Sequence, residues 1–352
     1  MKTRHNIQLF FGLLFLFLTV TIGTLKAEEN KINVTEIIAE HLADSYEWHI
    51  TKWGDKEISI HLPIIVKSRT SGWHVFSSSQ VSHGATYKGF HIPHEGSHAG
   101  KLTEHNSTGE EVRPAIDISL TKNAVGLIMN CLLLLLIILP LARWYKRGEQ
   151  QAPKGFKGAV ELLITYVLDE IIKPCVGEEY RKYATFLLTV FFFIFISNLM
   201  GLMPFFPGGA NITGNIAVTM FLALCTFVVV NISGTKEYWK EILWPDVPSW
   251  LKVPLPIMPL IELFGVFTKP FALMIRLFAN IMAGHAVILG LVCVIFISVT
   301  MGAAINSGMS VVAVLFGIFM NFLELLVAFI QAYVFTLLSS VFINMARVKH
   351  HG

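Results

Sequence analysis

The chain has 352 residues, 54% of them hydrophobic and only 14% charged, with a mean hydropathy of +0.61. Soluble domains carry roughly 25% charged residues, so this composition excludes an ordinary water-soluble enzyme and points to a polytopic membrane protein. The net charge of +3 is too small and too dispersed to suggest nucleic-acid binding, and the four cysteines, none in the polar N-terminal region, indicate no disulfide framework.

Residues 1–27 join a short basic start to an apolar core from Ile7 to about Leu25, followed by Lys26-Ala27 and the acidic Glu28-Glu29. This predicts a cleavable signal peptide, with an uncleaved anchor helix as the alternative. Residues 28–121 are polar and hold nine of the thirteen histidines. Val34, Ile37, Ile38 and Leu42 recur at helical spacing and predict a short helix over about 30–46. Then come β-prone pieces, EISIHLPIIV (57–66) and GWHVF (72–76), separated by Gly, Ser and Pro. His91, His94 and His98 form an H-x2-H-x3-H cluster. It is a weak metal candidate, because no Cys or acidic ligand pattern joins it, and a histidine-rich loop is the plainer reading.

Asn123–Ala142 is 20 residues without a formal charge, enough for one membrane crossing at about 1.5 Å per residue. Arg143, Lys146, Arg147, Lys154 and Lys157 follow, so this loop is predicted to be cytoplasmic and residues 28–121 to lie outside, in agreement with the signal peptide. Over 158–173 an apolar stripe from Val160 to Ile172 predicts an interfacial amphipathic helix stopped by Pro174. Ala184–Thr235 holds 52 residues without Asp, Glu, Lys or Arg, read as two spans joined by the Pro/Gly/Asn-rich turn 203–215. The remaining spans are predicted at 256–300 and 309–346, with 302–310 as their turn and a basic cytoplasmic C-terminus. Pro259–Thr300 would reach about 60 Å as a helix, roughly twice the bilayer core, so these last two must tilt, bend or run along the membrane. The predicted class is an all-α polytopic membrane protein of about five embedded helices. It includes a long, strongly tilted C-terminal hairpin, one interfacial amphipathic helix and a small polar extracytoplasmic extension with some β structure.

Charges within the apolar runs carry the functional reading. Arg276 lies in TKPFALMIRLFANIMAGH (268–285), and the next formal charge downstream is Glu324. A charge at bilayer depth costs about 2.5–3.5 kcal/mol on insertion scales, and such residues mark ion or substrate paths. Glu262, Lys269 and Arg276 are spaced by seven and share a face, with Asn280 four residues on. His285, nine residues from Arg276, falls about half a turn away and some 13 Å along the axis. Asn321, Glu324 and Gln331 are spaced by three and seven and predict one polar face on the final helix. His285 and Glu324 both exchange protons, and buried together they would form a relay. Arg276 stays charged and would attract and release a carboxylate while blocking a direct leak. In the bland reading, Asn280 and Gln331 are interhelical glue, and Lys269 and Glu262 snorkel to the interface.

At these residues the sequence resembles subunit a of the membrane sector of F-type ATP synthase. The core match is IELFGVFTKPFALMIRLFANIMAGH (261–285), above all R-L-F-x-N behind Lys269-Pro270. FIFISNLMGLMPF (193–205), GNIAVTMFLAL (214–224) and FLELLVAFIQAYVFTLLSSVFI (322–343) support it in the right order. The extension resembles that of Bacteroidota relatives, whose outer polar region ends in a DISLTKNA-like stretch (117–124). The resemblance implies a proton-conducting stator subunit beside a ring of c subunits and a b-subunit peripheral stalk, in the bacterial inner membrane. It implies no cofactor and no catalytic site in this chain. Arg276 matches the arginine that keeps two half-channels apart, and Glu262 the acidic residue of the cytoplasmic half-channel. Asn280, Gln331 and Asn198 match polar positions near the arginine or the outer half-channel. Many bacterial relatives carry Glu and His where this chain has His285 and Glu324, so the pair reads as an exchanged relay, as in the mitochondrial form. Gly201 stands where some bacterial members have an acidic residue. Proton and sodium coupling stay open, because the ring largely decides between them. A secondary transporter using Arg276 to bind an anion lacks the expected internal repeat. An intramembrane enzyme finds no HExxH within the predicted spans, the match at 94–98 falling in the polar extension, and no P-loop is present.

Overall fold

The structure is a computed structural model and describes residues 43–53, 56–93, 96–105, 110–146, 152–203, 208–243 and 257–347. The proposed signal peptide, most of the helix expected over 30–46, His94, and the loops 147–151 and 244–256 lie outside the described residues. The last part of the expected helix, 43–46, is described and is not helical.

Among the described residues the extension forms eight short strands. β1 (Glu47–Trp53) pairs antiparallel with β2 (Lys56–His61). β3 (Pro63–Ser68) lies between β4 (Gly72–Ser77) and β8 (Ile116–Asp117), and β6 (Thr103–His105) lies between β5 (Phe90–His91) and β7 (Glu111–Val112). The stretch 57–66, expected as one β piece, divides at Leu62 between two sheets. Leu62 itself is buried and bonds through its N–H to the Tyr46 carbonyl. In β3, Ile64 and Val66 point to the core in the alternation of a half-buried strand, and with Tyr46, Phe76, Val81, Phe90 and Leu102 they form the extension's core.

Among the described residues, five helices are long and apolar enough to cross a membrane. They are α1 (Lys122–Lys146), α4 (Tyr180–Leu202), α5 (Ile216–Ser233), α7 (Ile257–Ser298) and α8 (Ala303–Met345). α4 is the central post: half of its apolar window is buried, against 17% for α1. Its Leu187, Phe191 and Ile194 meet Leu273, Leu277 and Ile281 of α7 and Ala332 and Phe335 of α8 in one core. α1 joins α4 through Asn130, whose Nδ2 donates to Ser197 Oγ at 2.6 Å, and meets the segment 208–215 at Gly126.

The expected amphipathic helix is present but does not stop at Pro174. α2 (Phe156–Tyr166) runs into a π-helical turn, Val167–Ile172, and then α3 (Lys173–Val176), ended by Gly177 at φ 81°. The wider turn takes the Lys173 N–H to the Leu168 carbonyl, and Pro174, at the start of the last turn, has no N–H to lose. Val167, Ile171, Ile172 and Val176 are buried against the core, while Phe156 and Leu162 stay exposed. A short amphipathic helix, α6 (Lys236–Leu243), follows α5.

The turn between the last two long helices is shorter than the sequence suggested. A single 3-10 turn, Val299–Met301, and Gly302 at φ 100° reverse the chain, and α8 already begins at Ala303. The small residues of 303–310 looked like a loop, yet Ala and Ser continue a helix, and only Gly302 adopts the left-handed geometry that ends one. Pro259 sits in the first turn of α7, where its missing N–H costs nothing. Pro270, inside α7, forgoes the bond to the Val266 carbonyl.

Candidate functional site

α7 presents two chemically distinct faces. Leu273, Met274, Leu277 and Ile281 are buried in the core, whereas Arg276 and Asn280 are exposed together with Phe271, Ala272, Ile275 and Ala279. The heptad spacing leaves each residue about 20° short of full turns, which carries the row from half-buried Glu262 and Lys269 to exposed Arg276. α8 likewise exposes Phe319, Phe322, Leu325 and Leu326. The arginine therefore lies in an apolar outer surface.

His285 turns the other way, as nine residues of helix require. Its Nδ1 lies 3.2 Å from Glu324 Oε1 on α8, with the histidine 18% and the glutamate 5% exposed at the side chain. The contact is close but lacks hydrogen-bond alignment: among the described residues no hydrogen-bond donor reaches either carboxylate oxygen. Gly284 makes this possible, because a Cβ there would meet Glu324 Oε1 at 2.9 Å. Gly201 gives room on the α4 side, where a Cβ would lie 3.5 Å from His285 Nε2.

Segment 208–215 closes this cluster. Thr213 Oγ1 donates to Asn198 Oδ1 at 2.6 Å, and Asn198 Nδ2 donates to the Ala328 carbonyl at 3.1 Å. Asn198 thus bolts the segment to the backbone of α8. Asn211 Oδ1 accepts the Gly214 N–H at 2.9 Å and its Nδ2 rests 3.6 Å from Met282 Sδ on α7. Gln331 is buried on α8, one helical row from Glu324. Asn321 does not join them. It is exposed and bonds the Gly317 carbonyl of its own helix, because three residues place it about 60° off the Glu324–Gln331 line.

Toward the other end of α7, a narrow cleft is lined by Thr226, Asn231, Tyr238, Lys269, Pro270 and Phe342. Lys269 Nζ sits 5.8 Å from the Phe342 ring centroid. Burial first, and the charge of Glu262 second, push the Tyr238 phenol above its ordinary value. Neither Tyr238 nor Asn231 stood out in the sequence. Their signal is weak, since Asn231 looks like one more polar residue at a helix end and Tyr238 like part of an amphipathic turn.

The histidine cluster of the extension divides. His91 Nε2 contacts Glu111 Oε1 at 3.0 Å, and its ring stacks on His105 at 4.7 Å. His98 lies in a separate turn, and among the described residues no group of three or more His, Cys, Asp or Glu could hold a metal ion.

Comparison with known proteins identifies the family. The family described as ATP synthase A chain matches residues 126–344, and one described as a domain of unknown function matches residues 37–123. The chain is 42% identical over 243 residues to ATP synthase subunit a of Pelodictyon phaeoclathratiforme, covering 67% of this chain and 68% of that one. Identity to ATP synthase subunit a of Chloroherpeton thalassium is 42% over 244 residues, covering 67% and 69%, and to that of Myxococcus xanthus 40% over 286 residues, covering 78% and 88%. With 126–344 matched and five apolar helices in place, the chain belongs to the ATP synthase subunit a family and is an integral membrane protein.

Proposed function

We propose that the chain conducts protons through two offset half-paths and passes them to carboxylates on a neighbouring ring of c subunits. The observation that carries this reading is the division of α7. Arg276 is exposed on one face, and His285 contacts buried Glu324 on the other, about 13 Å further along. In the outer half-path a proton is taken up by the His285–Glu324 pair and moves past Gln331 and Asn198 toward the exposed face. Two exchangeable groups in contact at low exposure suit this handover. A ring carboxylate then accepts the proton beside Asn280. Arg276 pairs with the carboxylate that has just lost its proton and keeps the halves apart, since a guanidinium holds its charge. In the inner half-path the proton leaves through the cleft of Lys269 and Tyr238 toward Glu262.

In this reading the extension faces outside the inner membrane of a bacterium and the C-terminus faces the cytoplasm, following the lysines and arginines of the loop after α1. The chain is a stator, held with a b-subunit stalk, and ATP is made elsewhere in the complex. Each charge crossing 100 mV supplies about 2.3 kcal/mol, so several must be gathered through rotation for each ATP. The test is Arg276→Ala in the complete complex reconstituted in liposomes. The complex assembles, and ATP synthesis driven by a proton gradient without sodium falls by at least tenfold. Synthesis at the unsubstituted rate would overturn the mechanism.

A further inference from the structure

The end of α1 and the start of α2 enclose a cleft of about 180 Å³ lined by Pro140, Arg143, Trp144 and Lys157. Lys157 Nζ is held over the Trp144 ring, 4.9 Å from its centroid, and both side chains are half-buried. Arg143 lines the same cleft from α1. Two cations thus share one small space, where like charges repel unless an anion comes between them. Among the described residues neither has a carboxylate within ion-pair distance. Glu161, one turn beyond Lys157 on α2, accepts the Tyr145 hydroxyl instead. The first turn of α2 adds charge of the same sign. It holds no acidic residue and no side chain caps it, so the partial positive charge of a helix start lies beside Lys157.

The apolar surroundings of the cleft select the kind of anion. Leu139, Leu136 and Leu132 lie four, seven and eleven residues before Arg143, in one stripe on α1, and all three are exposed. The stripe runs from the cleft into the span, and a tryptophan at the end of a span sits at headgroup depth. We propose that this cleft binds the phosphate of an anionic phospholipid, with Arg143 and Lys157 on its oxygens and an acyl chain along the three leucines. Arg143 supplies a planar fork of donors and Lys157 a point charge fixed by the indole. Such a site needs only that α1 crosses a bilayer, and it stands apart from the proton path.

The experiment uses the complete complex in phosphatidylcholine vesicles that contain a trace of phosphatidylglycerol with a photoactivatable diazirine near its headgroup. Crosslinked residues of this chain are mapped by peptide mass spectrometry. Labelling is expected within 132–157, displaced by unlabelled phosphatidylglycerol but not by the same amount of unlabelled phosphatidylcholine, nor by inorganic phosphate. Arg143→Gln combined with Lys157→Gln should lower this labelling by at least about tenfold, as the loss of two charge-assisted contacts requires. Arg143→Lys should keep part of it. Lys146→Gln removes the same charge from α1 outside the cleft and should change it far less. An equal fall with Lys146→Gln, or equal displacement by phosphatidylcholine, marks only a basic surface at the membrane edge and overturns the inference. Displacement by inorganic phosphate overturns the lipid assignment in favour of a free anion. The displacement arms use the unsubstituted complex, so they decide the matter even where the double variant fails to assemble.

Discussion

At the scale of single residues, the site depends on what is absent from Gly284 as much as on what His285 and Glu324 supply. A methyl group there would stand 2.9 Å from one carboxylate oxygen and 3.3 Å from the carboxyl carbon, so Gly284→Ala forces the Glu324 side chain away from the imidazole. Proton flux in vesicles, read by quenching of a pH-sensitive dye, is expected to drop severalfold with assembly intact, and an unchanged flux would remove the close contact from the mechanism. The contact between His285 and Glu324 gives a second test. His285→Ala should block uptake, whereas His285→Glu combined with Glu324→His should restore part of it, because the two groups keep their contact. A double variant no better than the single one would show that each group is bound to its own helix. The spacing within 268–285 already separated Arg276 from His285 by half a turn. It carried no information on Gly284, since a glycine's lack of side chain matters only once a second helix is known to press on it.

Helix-to-helix contacts explain why segment 208–215 stays in place. Gly126 of α1 allows the closest approach: a Cβ there would meet the Ala210 Cβ at 2.6 Å and Ile212 Cγ1 at 3.4 Å. Neither neighbour is the end of a flexible chain, so Gly126→Val should cost about 1–3 kcal/mol by overpacking. A lower melting temperature of the purified protein in detergent, with slower proton uptake, is the expected result, and an unaltered melting temperature would show that the segment yields freely. The sequence placed α1, α4 and α5 within a few residues. It erred where local composition competes with tertiary context. The small residues 303–310 continue α8 rather than looping, and Pro174 is carried by a π-turn packed on the core.

For the molecule as a whole, the junction of extension and membrane helices is expected to weaken at alkaline pH. Tyr46 Oη donates to Asp117 Oδ2 at 2.8 Å, and burial, reinforced by that carboxylate, pushes the phenol above its ordinary value. A group with a raised folded pKa contributes stability in full below its unfolded value, about 10 for tyrosine, and loses it as pH rises beyond. Limited proteolysis of residues 43–121 should therefore accelerate above about pH 10. Tyr46→Phe should be less stable at neutral pH but flatter across that range, and an equally steep acceleration in the variant would assign the sensitivity elsewhere.

The sequence by itself determined the class, the five long apolar helices found among the described residues and the residue set of α7. Hydropathy, charge and helical period are local properties that need no neighbour. Tertiary structure alone decided which of those residues meet. The 3.2 Å contact of His285 with Glu324, the bolting of Asn198 to α8 and to Thr213, and the seating of Trp48 on Ala210 and Ile212 join residues that are distant along the chain. Their meeting depends on how four helices and a strand-built extension pack against one another. In lipid that packing follows from small residues and satisfied polar groups rather than from any one-dimensional pattern.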